Sequence, residues 1–269
     1  MPESVAVIGG GWRAYPGSVS TEAEPIAGRV AAAAARTVAA GTVRLFSARS
    51  APLAVPEAQD RYCEGVADLA ARRARVSEAA MSERLAVAFG ELRNDADEIR
   101  HALSEPREAI YDGANAYTRV AGRWTGFFLG DREGPRGTGD PLWPLDALFG
   151  ARDDAVEMGP DAVRGVAAVR CRLTVDLARA DAAVPAGVSV PAGPYRALRR
   201  MPAEVWLDAA GLVRRVAVSA EPVTAGADVQ NWAIVELWDF GVAVDITPPH
   251  PDEVVEPREV DWDTPGSAA

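Results

Sequence analysis

The sequence predicts an α+β protein built on a long antiparallel sheet with helices packed against one side. Three observations carry this. Turn signals separate strand-like runs at Asp112-Gly113, Ala121-Gly122 and Asp208-Ala209-Ala210-Gly211, and short turns of this kind join antiparallel strands. Residues 166–178, VAAVRCRLTVDLA, alternate, with Val169, Cys171, Leu173, Val175 and Leu177 on one face and Arg170, Arg172, Thr174 and Asp176 on the other. Helical signals are confined to a few segments, and no regular strand–helix alternation calls for a parallel sheet.

In chain order, residues 1–24 are rich in Gly, Pro and Ser and read as a flexible arm. Residues Ile26 to Ala40 are dominated by alanine and predict a helix that Gly41 ends. TVRLFSARS, 42–50, has the β-branched and aromatic content of a strand. Residues 62–78 hold one or two more strands. Leu85, Phe89, Leu92, Ala96, Ile99 and Leu103 recur at helical spacing, which predicts an amphipathic helix over 83–104, ended by Pro106. Strands flank the turns at 112–113 and 121–122, a Gly-rich charged loop fills 130–140, and PLWPLDALFG, 141–150, predicts a short helix with Pro144 near its start and Gly150 past its end. A Pro-rich loop at 184–194 precedes a short helix over Tyr195–Met201, and 203–221 forms a hairpin about 208–211. Residues 231–246 give a last strand, or a strand pair bent at Gly241, and PDEVVE at 251–256 makes one helical turn. One domain over 25–257 and an acidic tail over 258–269 complete the division.

Composition removes several chemistries. The 269 residues include no lysine, so Schiff-base and Walker-type lysines are excluded. The net charge of −11 argues against nonspecific binding to nucleic acid or to an anionic membrane surface. Two histidines, His101 and His250, cannot supply a three-histidine metal site, and Cys63 and Cys171 are too few and too far apart for a zinc cluster or disulfide framework. Both histidines read as solvated, Cys171 as a small buried hydrophobe, and no metal or cofactor is expected. Gly9, Gly11 and Ala14 match a dinucleotide fingerprint, yet Pro16-Gly17 interrupts the helix whose N-terminus would meet the pyrophosphate. No G-x-S-x-G elbow and no spaced carboxylate pair stands out, so no catalytic residue is nominated. The arginine pairs 72–73, 199–200 and 214–215 read as solvated or as partners of the many carboxylates, and Trp206, Trp232 and Trp238 as packed strand residues. No stretch is long and apolar enough to span a bilayer, and the N-terminus lacks a basic export signal, so a cytoplasmic location is expected.

Taken together, DPLWPLDALFG, the hairpin EVWLDAAGLVRRV, the LWDFGVAVDI strand and the PDEVV end resemble the LppX/LprG group of actinobacterial lipoproteins, which have a LolA/LolB-like fold. The resemblance covers roughly residues 25–256, the first half in layout only. It implies a half-open β-barrel, its open side covered by helices, around an apolar cavity that carries lipid-like molecules. Members of that group are exported and anchored through a cysteine after a signal peptide; Cys63 lies inside the folded region and does not fit that role.

In such a fold alternate strand residues either line a hollow or fill a core. The candidates for lining are Val43, Leu45, Leu173, Val175, Val205, Leu207, Val216, Val218, Ile234 and Leu237. The function expected is noncatalytic binding or carriage of a hydrophobic, lipid-like small molecule. Two alternatives are an enzyme that works by confinement, such as a cyclase or isomerase of a specialised metabolite, and a regulatory or chaperone-like protein that docks a partner. The poverty of His, Lys and Cys favours binding or docking over catalysis.

Overall fold

The computed structural model describes residues 25–49, 61–80, 106–113, 115–120, 122–128, 140–183, 200–220 and 231–255. The arm at 1–24, the helix expected over 83–104, His101 and the acidic tail lie outside the described residues, as do most of the loops at 130–140 and 184–194.

The chain opens with helix α1, Ile26–Ala39, followed by strands β1 Thr42–Arg49, β2 Arg61–Asp68, β3 Arg73–Ala80, β4 Arg107–Asp112, β5 Asn115–Val120 and β6 Arg123–Phe128. Helix α2, Trp143–Ala147, runs into a 3-10 turn at Leu148–Gly150. Then come β7 Val156–Val163, β8 Val166–Asp176, α3 Leu177–Ala183, β9 Arg200–Asp208, β10 Val213–Ala220, β11 Asn231–Trp238 and the two-residue β12, Val254–Val255. All twelve described strands join one sheet in the order β12-β6-β5-β4-β3-β2-β1-β11-β10-β9-β8-β7. Every pairing is antiparallel except β12 with β6. The fold is therefore α+β with an open, unclosed sheet.

Neighbouring strands pair through their hairpins, while β1 pairs with β11 and so joins the two halves, with Leu45 opposite both Leu237 and Gly65. The sheet is strongly coiled. A Cβ on Gly65 would sit 2.1 Å from the Arg75 carbonyl oxygen, so only glycine lets β3 fold this closely over β2. The Arg49 guanidinium also donates to the Tyr111 phenol oxygen. In a flat sheet β1 and β4 would lie about 14 Å apart, and the register offset, from Ala74 to Ala80 along β3, would add about 20 Å along the strands. Coiling brings the two side chains within reach.

The expectations for elements hold at α1, at β1 to β6 and at the 208–211 hairpin, with four corrections. Leu177 belongs to α3, because the Asp176 carboxylate accepts the N–H groups of Ala178 at 3.1 Å and Arg179 at 3.2 Å and so starts a helix where the alternation was read on. Gly150 lies within the 3-10 turn rather than past it, and a Cβ there would meet the Asp176 carbonyl at 2.1 Å. Arg200 and Met201 start β9; the rest of the expected 195–201 helix lies outside the described residues. After Trp238 no second strand forms, because Asp239 and Gly241 take positive φ and fold the chain back, with the Gly241 N–H donating to the Thr42 carbonyl at 2.8 Å. The 251–256 segment makes one 3-10 turn, capped by the exposed His250, and then pairs as β12. β7 went unread: it is an exposed edge strand with a bulge at Met158, between Glu157 and Gly159, so it carries no alternation.

α1 presents Ala27, Val30, Ala33, Ala34 and Thr37 to the sheet. Thr37 is fully buried. Its hydroxyl donates to the Ala33 carbonyl at 2.7 Å and accepts the N–H of Val213 at 2.8 Å, which ties α1 to the start of β10. Thr37→Val keeps the shape but strands the Val213 N–H, and should cost about 1–3 kcal/mol in urea unfolding, while Thr37→Ser costs less. Equal loss from the two variants would show that the hydroxyl is not what matters.

Candidate functional site

The period of two along each strand defines an inner face, on which the helices sit, and an outer one. Nine of the ten lining candidates, all but Ile234, are buried in one continuous apolar cluster on the inner face. Ile234 lies on the outer face, packed with Phe46, Ala48 and Tyr62. Parity decides it: Ile234 pairs with Ala48 and Leu237 with Leu45, so two residues three apart on one strand cannot share a face.

The inner face has two regions. Over β8 to β11 it carries large side chains, among them Leu173, Val205 and Val216, and α1, α2 and α3 pack there. Over β2 to β5 it carries Gly65, Ala67, Ala74, Val76, Ala109 and Ala116. The five of these with side chains are all buried, none above 8% exposed, and Tyr111 shares their face. Sequence reading found the first region from its Val/Leu alternation and missed the second, because alanine carries a weak strand signal.

Each region holds a buried ion group. Arg72, in the β2–β3 turn, donates through both terminal nitrogens to the Asp146 carboxylate on α2 and thereby pins the helical cap to the first half of the sheet. The Asp146 side chain is 1% exposed, and burial pushes its carboxyl up to about 6 against the pull of Arg72. The Asp140 carboxylate adds to that rise and also accepts the Leu142 N–H at 2.8 Å. The second group sits on β1 to β4. Arg49 and Arg61 both approach one oxygen of Glu78, at 3.4 Å and 3.2 Å, and Tyr111 and Cys63 lie beside them. Burial, reinforced by Glu78 and opposed by Arg49, pushes the Cys63 thiol up to about 12. Burial and Glu78 likewise lift the Tyr111 phenol well above its ordinary value. Glu78, Arg49 and Tyr111 were not nominated from the sequence, where nothing distinguishes one Arg or Glu among so many.

The outer face is polar and cross-linked. Arg170 and Arg172 share Glu204, Arg164 and Arg215 share Glu236, and the Trp206 indole donates to Asp161 at 2.7 Å between Arg170 and Arg215. Arg164 lies over the Trp238 ring, 3.7 Å from its centroid. Arg72, Arg73, Arg214 and Arg215 all have carboxylate partners. Among the described residues no group of three or more His, Cys, Asp or Glu is placed to hold a metal ion, and no helix is long and apolar enough to cross a membrane.

No family model matches the sequence, and no curated protein matches it. Solved structures are similar in fold. LprF from Mycobacterium bovis is 15% identical, with 84% of this chain and 98% of that chain covered at a TM-score of 0.47. Lipoprotein LppX from Mycobacterium tuberculosis is 9% identical, with 84% and 100% covered at 0.46. A LolA superfamily protein from Nitrosomonas europaea is 7% identical, with 74% and 84% covered at 0.23. At these identities the function rests on the chemistry of the site.

Two measurements check the site. Both cysteines are buried and their thiols are pushed up, so Ellman's reagent should leave the native protein unlabelled at mildly alkaline pH and label both on unfolding; rapid native labelling would contradict the burial. Arg72→Met should cost about 3–5 kcal/mol, and Arg72→Met combined with Asp146→Leu should recover most of it, because the penalty is an abandoned buried charge. A double variant as unstable as the sum of the two singles would show that the two residues are not coupled and would contradict this reading.

Proposed function

We propose that this protein binds and carries a hydrophobic, lipid-like molecule, without catalysis, against the inner face of its coiled sheet. The observation that carries the reading is the small-residue region of that face over β2 to β5, continuous with the apolar cluster under the helices. Its small side chains are shut off from solvent, so an acyl chain laid against them would leave water as well. Each buried methylene contributes about 0.8 kcal/mol, so a chain of about twelve contributes roughly 10 kcal/mol before the entropy of association is subtracted. The sequence resemblance to the LppX/LprG group supports the same reading. So does the shortage of groups for chemistry: the described cysteines are held protonated, and the described histidine, His250, caps an exposed turn.

The test is fluorescence titration with a long-chain dansyl fatty-acid methyl ester, which has no charge to exploit. Wild type should bind it saturably at one site. Ala109→Phe, which places a ring on the small-residue region, should weaken binding at least about tenfold with little change in melting temperature. No saturable binding by wild type would sink the proposal. So would an Ala109→Phe protein that loses stability as an overpacked core does, by about 1–3 kcal/mol, while binding the ester unchanged.

A further inference from the structure

We infer that the buried Asp146–Arg72–Asp140 cluster makes the hold of α2 on the β2–β3 turn depend on pH, firm in mild acid and looser above neutrality. The inference concerns the joint between the helical cap and the first half of the sheet, and it stands whatever the inner face binds.

Geometry sets the charges. The Asp146 side chain, on α2, is 1% exposed and that of Arg72 18%. The guanidinium donates to both carboxylate oxygens, to Oδ1 at 2.9 Å. Asp140, half-buried and placed by the Leu142 N–H at 2.8 Å, sets a second carboxylate against the same pair. α2, WPLDA, has no other ionisable side chain. The charges on the elements around it are matched elsewhere: Arg214 by Asp208, Arg215 by Glu236, Arg152 by Asp176 and Arg73 by Asp112, while Asp68 accepts the Ala71 N–H. Arg179 and Asp181 on α3 are exposed. Two carboxylates against one guanidinium leave one negative charge at a site largely closed to water.

The turn is built around this contact. Arg72 holds φ at 57°, a left-handed conformation that glycine takes freely and arginine only under strain. Its carbonyl accepts the Gly113 N–H at 3.0 Å, so the β4–β5 hairpin steadies the turn from behind. The guanidinium reaches α2 from a fixed base.

The sign of the effect follows from burial. A buried net charge is costly, and a bound proton removes it. With α2 seated, the site favours a protonated Asp146; with α2 lifted, water solvates the carboxylate and the proton leaves in the ordinary carboxylate range. Burial pushes the seated carboxyl up to about 6 against the pull of Arg72, and Asp140 adds to the rise. The seated form thus binds the proton more tightly than the lifted one. Its advantage is full below the ordinary carboxylate value of 3.8 and is lost as pH rises through about 6.

Hydrogen exchange of the full chain measures the lifting of α2, read by mass spectrometry on peptides spanning 142–151 and corrected for the intrinsic pH dependence of exchange. Asp146→Asn keeps the shape and fixes the neutral state, so it supplies the baseline. From about pH 5 to about pH 7.5 the opening constant should rise about tenfold more in wild type than in Asp146→Asn. Should that variant fail to fold, Asp140→Asn tests the inference independently: it removes the second carboxylate and should show a smaller rise than wild type. The same pH dependence in wild type and Asp146→Asn overturns the inference. So does a wild-type opening that falls relative to that variant as pH rises, the result expected of a clasp that holds best fully charged. A rise in Asp140→Asn as large as in wild type overturns it as well.

Discussion

Everything in this structure follows from the alternation of side chains along twelve strands of an open sheet. Each strand sends every second residue to one face, and the face that collects Val, Leu, Ala and Cys has to be kept from water. Closure into a barrel would do this with strands alone, but here the described sheet ends at β12, two residues long, and at β7, bent by its bulge at Met158. Short and bulged edges resist pairing with other chains. The dry face is kept instead by coiling and by the three described helices. α1 is anchored through Thr37 to the start of β10 and through Arg36, which donates to the Gly211 carbonyl at 3.3 Å. α2 is anchored through Asp146 to the β2–β3 turn. The cap is thus fixed to both halves of the sheet.

The same arginine-only chemistry does different work on the two faces. Outside, pairs such as Arg172 with Glu204 are partly hydrated, and each contributes little. Their joint effect is to cover the flat aromatic surfaces of Trp206 and Trp238 with guanidinium groups, so that bulky apolar side chains can sit on an outer face without forming a sticky patch. Inside, Arg72–Asp146 and Arg49–Glu78 are removed from water, so each charge depends on its partners. The first closes the fold. The second stands on the inner face of β1 to β3.

Much of this was legible in the residues. The alternation in β8 placed Cys171, Leu173 and Val175 inside, and turn chemistry at Asp112-Gly113 and Asp208–Gly211 fixed the hairpins. Where reading went astray, a local interaction overrode the pattern: Asp176 starts a helix within an unbroken apolar alternation, and positive φ at Asp239 ends a strand that hydropathy would extend. β7 was invisible because an exposed edge strand needs no apolar face. Of the ten nominated residues, nine lie on the inner face and Ile234 on the outer one, a split that strict parity along β11 would have foreseen. The Arg49–Glu78–Tyr111 group could not be found in this way, since residues from three strands meet only through register and coiling.

If the proposed function is right, the coiled inner face binds an apolar chain in the cell. Native mass spectrometry of the protein, purified from cells without detergent, tests this most directly. The account predicts a second species heavier than the bare chain by the mass of one lipid-like molecule, with the added mass recovered in an organic extract and absent after Ala109→Phe. A single species at the mass of the bare chain, and an extract with no enriched apolar compound, would contradict it.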